Sequence, residues 1–106
     1  YDFVADINGK FYKIQCKTSH IFGNEEGIEF SCRSSHRAEG KCINERYSAD
    51  DVDFFATMYQ GECYLIPYDI CGKRVQRLRI IPTKKGQTKG ITFAKDYHLK
   101  DVIEQL

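Results

Sequence analysis

The first part of the chain alternates between apolar and polar residues on either side of an Asn-Gly pair. This alternation predicts β-strands over residues 3–7 and 10–17, and Asn8-Gly9 is a strong signal for a two-residue hairpin turn. With that turn, Asp2 faces Gln15 across the hairpin. The apolar side of the hairpin is predicted to face the core and consists of Phe3, Ala5, Ile7, Tyr12, Ile14 and Cys16.

A third alternating segment follows a glycine-containing loop. Ile28, Phe30 and Cys32 fall on one face and polar residues on the other, which predicts a half-buried strand. The polar stretch 34–47 is typical of a loop, and His20 is also expected in a loop.

A helix is predicted next, because Ser48 and Asp51 form a capping box ahead of apolar residues at helical spacing, and Gly61 ends it. The short apolar run at 63–67 and the alternating segment at 75–81 predict two strands joined by a turn at 69–72. The apolar stripe of residues 99–106 predicts a C-terminal helix. The order of these elements predicts an α+β fold, with a central mixed sheet and flanking helices.

Composition limits the class of protein. The chain has 106 residues, of which 42% are hydrophobic, and is predicted to form one globular domain over residues 1–106. No apolar run approaches the roughly 18 residues of a membrane span, so no membrane partner is expected. The five cysteines are an odd number without a CxxC pair, which favours free thiols and an intracellular location.

The polar side of the hairpin carries the candidate chemistry. Directly opposed residues have Cβ atoms about 5 Å apart, so the Asp2 carboxylate and the Gln15 amide oxygen could hold one hard cation. Magnesium prefers oxygen ligands and keeps several waters, and the main-chain carbonyl of Cys16 could add a ligand. Lys17 could stabilise charge on a phosphate or orient an attacking water. The alternative is a solvent-exposed ion pair of little energetic weight.

These residues resemble the motif of the PD-(D/E)XK nuclease superfamily, in which an Asp begins one strand and an acidic residue or Gln precedes a Lys by two positions on the next. Here the motif reads Tyr1-Asp2, then Gln15-Cys16-Lys17. The Gln variant and segments 51–55 and 63–67 look most like the branch containing group I intron-encoded homing endonucleases.

The resemblance implies a restriction-endonuclease-like core and a metal-dependent endonuclease that cuts double-stranded DNA. It also implies one or two Mg²⁺ ions and a homodimer or homotetramer. Asp2, Gln15 and Lys17 would be the catalytic residues, and Asp2, Gln15 and Cys16 would hold the metal.

Members of this family usually have a first helix with an acidic residue that completes the metal site. The chain shows no such helix before its first strand, so we expect a fragment that lacks it, with Glu29 as the available substitute. Two alternatives to an active nuclease remain. One is a catalytically inactive DNA-binding module of the same fold, and the other is a small α+β protein-interaction domain.

The net charge of +1 conceals a separation of charge along the chain. Between residues 73 and 95 there are eight basic and no acidic residues. Such a segment is a candidate for contacts with DNA phosphates, and a solvated hairpin is the alternative. The predicted DNA-binding residues are Arg33, Arg74, Arg77, Arg79, Lys84, Lys85 and Lys89.

Overall fold

The computed structural model describes residues 2–38, 41–46, 51–71, 74–81, 86 and 90–106, and only the main chain at 34–38 and 41–46. The strands are β1 (Phe3–Ile7), β2 (Lys10–Lys17), β3 (His20–Phe22), β4 (Gly27–Ser31), β5 (Arg33–Ala38), β6 (Lys41–Arg46), β7 (Phe54–Tyr59), β8 (Glu62–Pro67) and β9 (Val75–Arg79). Short 3₁₀ helices form at Tyr68–Ile70 and Ala94–Tyr97, and an α-helix, α1, spans Leu99–Glu104.

The predicted first hairpin is confirmed, together with its register. Asn8 and Gly9 have φ angles of 54° and 83°, the left-handed values that a type I′ turn requires at both central positions. The side chain of Asp6 accepts a hydrogen bond of 3.0 Å from the Gly9 amide, which closes the turn. Val4 pairs with Lys13, and the same register brings Asp2 opposite Gln15.

The hairpin belongs to a four-stranded mixed sheet with the order β1-β2-β7-β8. Strands β2 and β7 are parallel, and β7 and β8 form an antiparallel hairpin. A second, antiparallel sheet has the order β3-β4-β9. Phe30 of the second sheet packs on Phe55 of the first, with ring centroids 5.8 Å apart.

The main hydrophobic core lies between these two sheets. The predicted inward face of the third segment is confirmed, since Ile28, Phe30 and Cys32 are all buried. The buried residues of this core are Ile28, Phe30, Cys32, Val52, Phe55, Tyr64, Ile66, Leu78 and Ala94.

A second, smaller core lies on the opposite face of the four-stranded sheet, where α1 packs through Val102 against Ile14 and Leu65. This is the face that was predicted to be the core side of the first hairpin. The prediction is right for Ile14 but wrong for Phe3 and Cys16, since Phe3 is 46% exposed and Cys16 is exposed as well. Helix α1 covers only part of the sheet, and a groove of about 880 Å³ remains beside it.

The helix predicted to follow Ser48 is wrong, because residues 54–59 form strand β7. Ser48 itself lies outside the described residues. Strand β7 is buried on both faces, with Phe54 and Ala56 in the smaller core and Phe55 in the main core. A strand covered on both faces shows a continuous apolar run instead of alternation, and such a run is compatible with a helix.

The loop predicted at 34–47 is also wrong, because β5 and β6 pair in an antiparallel ribbon over most of it. Its polar composition lacks the alternation of apolar and polar residues by which a half-buried strand is recognised. His20 likewise begins the short strand β3 instead of lying in a loop.

The strands predicted at 63–67 and 75–81 and the C-terminal helix are confirmed as β8, β9 and α1. The turn predicted at 69–72 overlaps the first 3₁₀ helix, and Gly72 lies outside the described part of the chain. The result is a mixed-sheet fold with more strands and less helix than the sequence predicted. Within the part of the chain that the structure covers, no helix has the length and apolar character needed to cross a lipid bilayer.

Candidate active site

Asp2 and Gln15 meet at the open end of the first hairpin, as the predicted register requires. The Asp2 Oδ2 atom accepts a hydrogen bond of 3.0 Å from Gln15 Nε2 and one of 2.8 Å from the main-chain amide of Cys16. The amide of Asp2 donates to the carbonyl of Ile14 at 2.9 Å, which extends the β1-β2 pairing by one residue. The carboxylate is therefore held against the end of β2 by side-chain and main-chain donors.

The neighbouring strand fixes the position of Gln15 from the other side. Gln15 pairs with Phe55 in the parallel β2-β7 ladder, and Phe55 is completely buried in the main core. Since paired residues point to the same face, the Asp2-Gln15 pair lies at the edge of the main core. The rigid core thus positions a solvent-exposed carboxylate.

Lys17 occupies the next position on the same face of β2. Its ammonium donates a hydrogen bond of 2.9 Å to the main-chain carbonyl of Arg33, the first residue of β5. Its own carbonyl accepts a hydrogen bond of 2.8 Å from the buried hydroxyl of Thr57. The structure therefore places the Lys17 ammonium where the β5-β6 ribbon begins.

The role of Thr57 was missed in the sequence because residues 54–59 were predicted to be helical. In a helix, Thr57 would be an ordinary polar position. In β7 it lies beside Lys17 in the parallel register and fixes the end of β2. The signal that could have found it is the polar residue directly after the apolar run Phe54-Phe55-Ala56.

The thiols of Cys32 and Cys71 interact with each other, and Cys32 also lies within the electrostatic influence of Lys17. The interaction between the Cys32 and Cys71 thiols lowers the pKa of Cys32 and raises that of Cys71. The positive charge of Lys17 also lowers the pKa of Cys32, whereas burial opposes that shift. This contact was not predicted, since the two residues are far apart in the sequence.

The donor atoms around Asp2 are the type that Mg²⁺ prefers. They comprise the carboxylate of Asp2, the amide oxygen of Gln15 and the main-chain carbonyl of Cys16, which are hard oxygen ligands. Across the described residues, no group of three His, Cys, Asp or Glu side chains could hold a metal ion. The residues therefore fit a site with a small share of protein ligands, in which water and substrate phosphate supply the remainder.

The expectation that Glu29 takes the place of the acidic residue of the family's first helix in the metal site is wrong. Glu29 lies on β4 opposite Arg77, and its carboxylate accepts a hydrogen bond of 2.9 Å from the Arg77 guanidinium. Its neighbours Ile28 and Phe30 point into the main core, so Glu29 lies on the opposite face of the second sheet. That face points away from the sheet that carries Asp2.

The predicted DNA-binding arginines fall into different environments. Arg77 and Arg79 lie on one face of β9, as predicted, and both form ion pairs. Arg77 bonds to Glu29, lies 4.9 Å from the Phe22 ring centroid and keeps a side chain that is 66% exposed.

Arg79 is more enclosed. Its guanidinium Nη1 lies 3.2 Å from the Glu26 carboxylate, and its Nε donates a hydrogen bond of 2.9 Å to the Ile81 carbonyl. The Arg79 side chain is only 18% exposed. Arg74 is exposed, and Arg33 begins β5. Lys84, Lys85 and Lys89 lie outside the residues that the structure describes.

The ion pairs change the interpretation of the charge profile. Residues 73–95 contain no acid, but Arg77 and Arg79 pair with acids from β4 and from the turn before it. Arg74 and the exposed part of Arg77 are therefore better placed for an external anion than Arg79.

Comparison with known proteins shows the family to which this chain belongs. The family model described as PD-(D/E)XK endonuclease matches residues 1–100, and the chain belongs to this family. Among solved structures, one similar in fold is that of a bacterial homing endonuclease, I-Ssp6803I. The two share 20% sequence identity with a TM-score of 0.68, over 99% of this chain and 72% of the other. No curated protein sequence matches the chain.

Proposed function

We propose that the chain is a Mg²⁺-dependent endonuclease of the homing type that hydrolyses phosphodiester bonds in double-stranded DNA. The observation that carries this proposal is the Asp2 carboxylate held beside Gln15, two residues before Lys17, which is the last residue of β2. Membership of the PD-(D/E)XK endonuclease family and the likeness in fold to a homing endonuclease support it.

In this proposal, Asp2 and Gln15 hold the metal through side-chain oxygens, and Cys16 contributes its main-chain carbonyl. A bound Mg²⁺ polarises a phosphate oxygen and lowers the pKa of a coordinated water. Lys17 provides positive charge for the phosphate as negative charge develops on it, or orients the water. Gln15 also holds the Asp2 carboxylate in place through its Nε2 hydrogen bond, which limits reorganisation when substrate arrives.

The basic residues of the second sheet and the segment after it position the duplex. Arg74 and Arg77, with Lys84, Lys85 and Lys89, supply phosphate contacts in this proposal, and Arg33 and Arg79 extend the surface. Cutting both strands requires two active sites, so we propose a homodimer or homotetramer as the working assembly.

Conversion of supercoiled plasmid to nicked and linear forms in Mg²⁺ tests the proposal. Wild type is compared with Asp2→Asn, which keeps the shape of the side chain and removes its charge, and with Lys17→Met, which removes the ammonium. We expect cleavage by wild type only, and none in EDTA. Asp6→Asn is the matched control, because Asp6 lies on the same strand at the hairpin turn.

Binding to duplex DNA in Ca²⁺ separates the alternatives. A DNA-binding module without catalysis would bind in a salt-dependent manner and leave plasmid intact in Mg²⁺. An interaction domain unrelated to DNA would neither bind nor cleave. Equal cleavage by wild type and Asp2→Asn would show that the proposed site is not the active site.

A further inference from the structure

Strands β5 and β6 form a two-stranded ribbon of their own, separate from the other two sheets. Each strand has six residues, so the ribbon is about 20 Å long. The radius of gyration of the chain is 14.7 Å, whereas a compact domain of this length has about 13 Å. The chain is therefore less compact than an average domain of its length, and the ribbon is hydrogen-bonded to neither of the other sheets.

The register divides the ribbon into two faces of different character. Arg33 pairs with Arg46, Ser35 with Asn44 and Arg37 with Cys42. Paired positions share a face and faces alternate along a strand, so one face, here called the arginine face, carries Arg33, Ser35, Arg37, Cys42, Asn44 and Arg46. The opposite face carries Ser34, His36, Ala38, Lys41, Ile43 and Glu45.

The two faces also differ in charge. The arginine face has three arginines and no acid, whereas Lys41 and Glu45 balance each other on the opposite face. An anionic partner is therefore expected on one side of the ribbon only. A loop at 34–47 has no such faces, so the pattern becomes visible only when the two strands pair.

Duplex DNA is the partner that matches both the charge and the shape. The major groove is about 12 Å wide and admits a two-stranded β-ribbon, and its base edges are read by specific side chains. Arg makes paired hydrogen bonds to guanine, Asn makes them to adenine, and Ser can contact either kind of edge. These residue types occupy five of the six positions of the arginine face.

We propose that the β5-β6 ribbon enters the major groove and reads base pairs through its arginine face. The inference rests on the proposed nuclease function, and it assigns to the ribbon the choice of DNA sequence. Asn44 lies in the middle pair of the face and Arg37 in the pair farthest from the main body of the domain, and both read bases, while Arg33 and Arg46 form the pair nearest the main body.

The connection between ribbon and candidate active site supports this arrangement. The Arg33 carbonyl accepts the Lys17 hydrogen bond of 2.9 Å, so the first residue of the ribbon is bonded to Lys17, the residue proposed to act on the phosphate. The amide of Cys32, one residue earlier, donates to the Arg74 carbonyl at 2.8 Å. A ribbon fixed at this point would couple the base pairs that it reads to the position of the scissile phosphate.

Selection from a library of random duplexes, performed with the full chain in Ca²⁺, tests the inference without cleavage. Wild type should enrich a defined motif. Arg37→Ala and Asn44→Ala should each lose preference at one or two base pairs, by roughly 5- to 150-fold at the position affected. Arg37→Lys should lose the same preference, because an ammonium cannot replace a guanidinium that makes two hydrogen bonds.

Lys41→Ala is the matched control, because it removes one positive charge from the opposite face of the same ribbon. It should select the wild-type motif with slightly lower affinity. Thermal unfolding of every variant, compared with wild type, ensures that a lost preference is not a lost fold. The slope of log affinity against log salt should not change for Asn44→Ala.

Two results would overturn the inference. In the first, Arg37→Ala and Asn44→Ala both select the wild-type motif and bind all sequences with uniformly lower affinity. If the salt slope of Arg37→Ala were also smaller, the ribbon would contact phosphates and not bases. In the second, wild type binds duplex DNA but enriches no sequence motif from the library. Plasmid cleavage in Mg²⁺ is scored separately, so the ribbon can fail while the nuclease function stands, or the reverse.

Discussion

Asp2 and Gln15 are joined across the first hairpin by a hydrogen bond of 3.0 Å in which the neutral amide donates to the carboxylate. A glutamate at position 15, when ionised, has no proton to donate and would place a second negative charge opposite Asp2.

We expect Gln15→Glu to make stability depend on divalent metal. In EDTA the variant should be less stable than wild type by about 1 kcal/mol, because the charges repel at a solvent-exposed position. Added Mg²⁺ should raise its melting temperature more than that of wild type, since a ligand that binds only the folded state stabilises it. Gln15→Leu, which has neither the charge nor the ligand, is the control, and thermal unfolding is the measurement. Equal responses of Gln15→Glu and wild type to Mg²⁺ would argue against a metal at this position.

The contact between Asp2 and Gln15 could be predicted because it depends on local rules. The Asn-Gly turn fixes the register, and the register places the two side chains opposite each other. The hydrogen bond of Lys17 to Arg33 could not be predicted in the same way, because it depends on where β4 ends against the first sheet.

Strand β7 shows why part of the fold was not predictable from the pattern. Its residues face two different cores, and that fact follows from the packing of the second sheet and α1, not from the local sequence. The ion pairs of Arg77 and Arg79 depend on the same tertiary arrangement, since their acidic partners lie about fifty residues earlier.

A substitution at Gly27 tests how closely β4 approaches β9. A Cβ atom at this position would collide with the carbonyl oxygen of Leu78 and would lie 2.7 Å from the ring of Phe22. We expect Gly27→Ala to destabilise the fold by about 1–3 kcal/mol or more, because the backbone of a paired strand cannot move away easily.

Gly61→Ala is the comparison for this substitution. Gly61 has a φ of 80° and no atom within 4 Å of the added carbon, so only the conformational penalty applies, about 1 kcal/mol. Chemical denaturation of both variants measures the difference. If Gly27→Ala were no less stable than Gly61→Ala, the close approach of β4 to β9 would be contradicted.

Lys17 is expected to have a structural effect as well as the proposed catalytic one. Lys17→Met keeps most of the apolar stem and removes the donor to the Arg33 carbonyl, which should reduce stability by about 1 kcal/mol. Hydrogen exchange at the start of β5 should become faster, because this strand loses its contact with β2. Lys17→Arg retains a donor and should preserve most of the protection. Unchanged exchange in Lys17→Met would show that this contact does not anchor the ribbon.

Tyr64 gives the fold a dependence on alkaline pH. Burial in the main core, reinforced by the charge of Glu62, raises the pKa of Tyr64 above its ordinary value of 10. The folded state therefore keeps the phenol proton at a pH where the unfolded state loses it, and the free energy of unfolding should fall as pH rises above about 10. Tyr64→Phe cannot ionise, so its unfolding free energy, measured by urea denaturation at a series of pH values, should decline less steeply there. Parallel declines for Tyr64→Phe and wild type would mean that other groups with raised pKa values, such as Tyr97, account for the alkaline loss of stability.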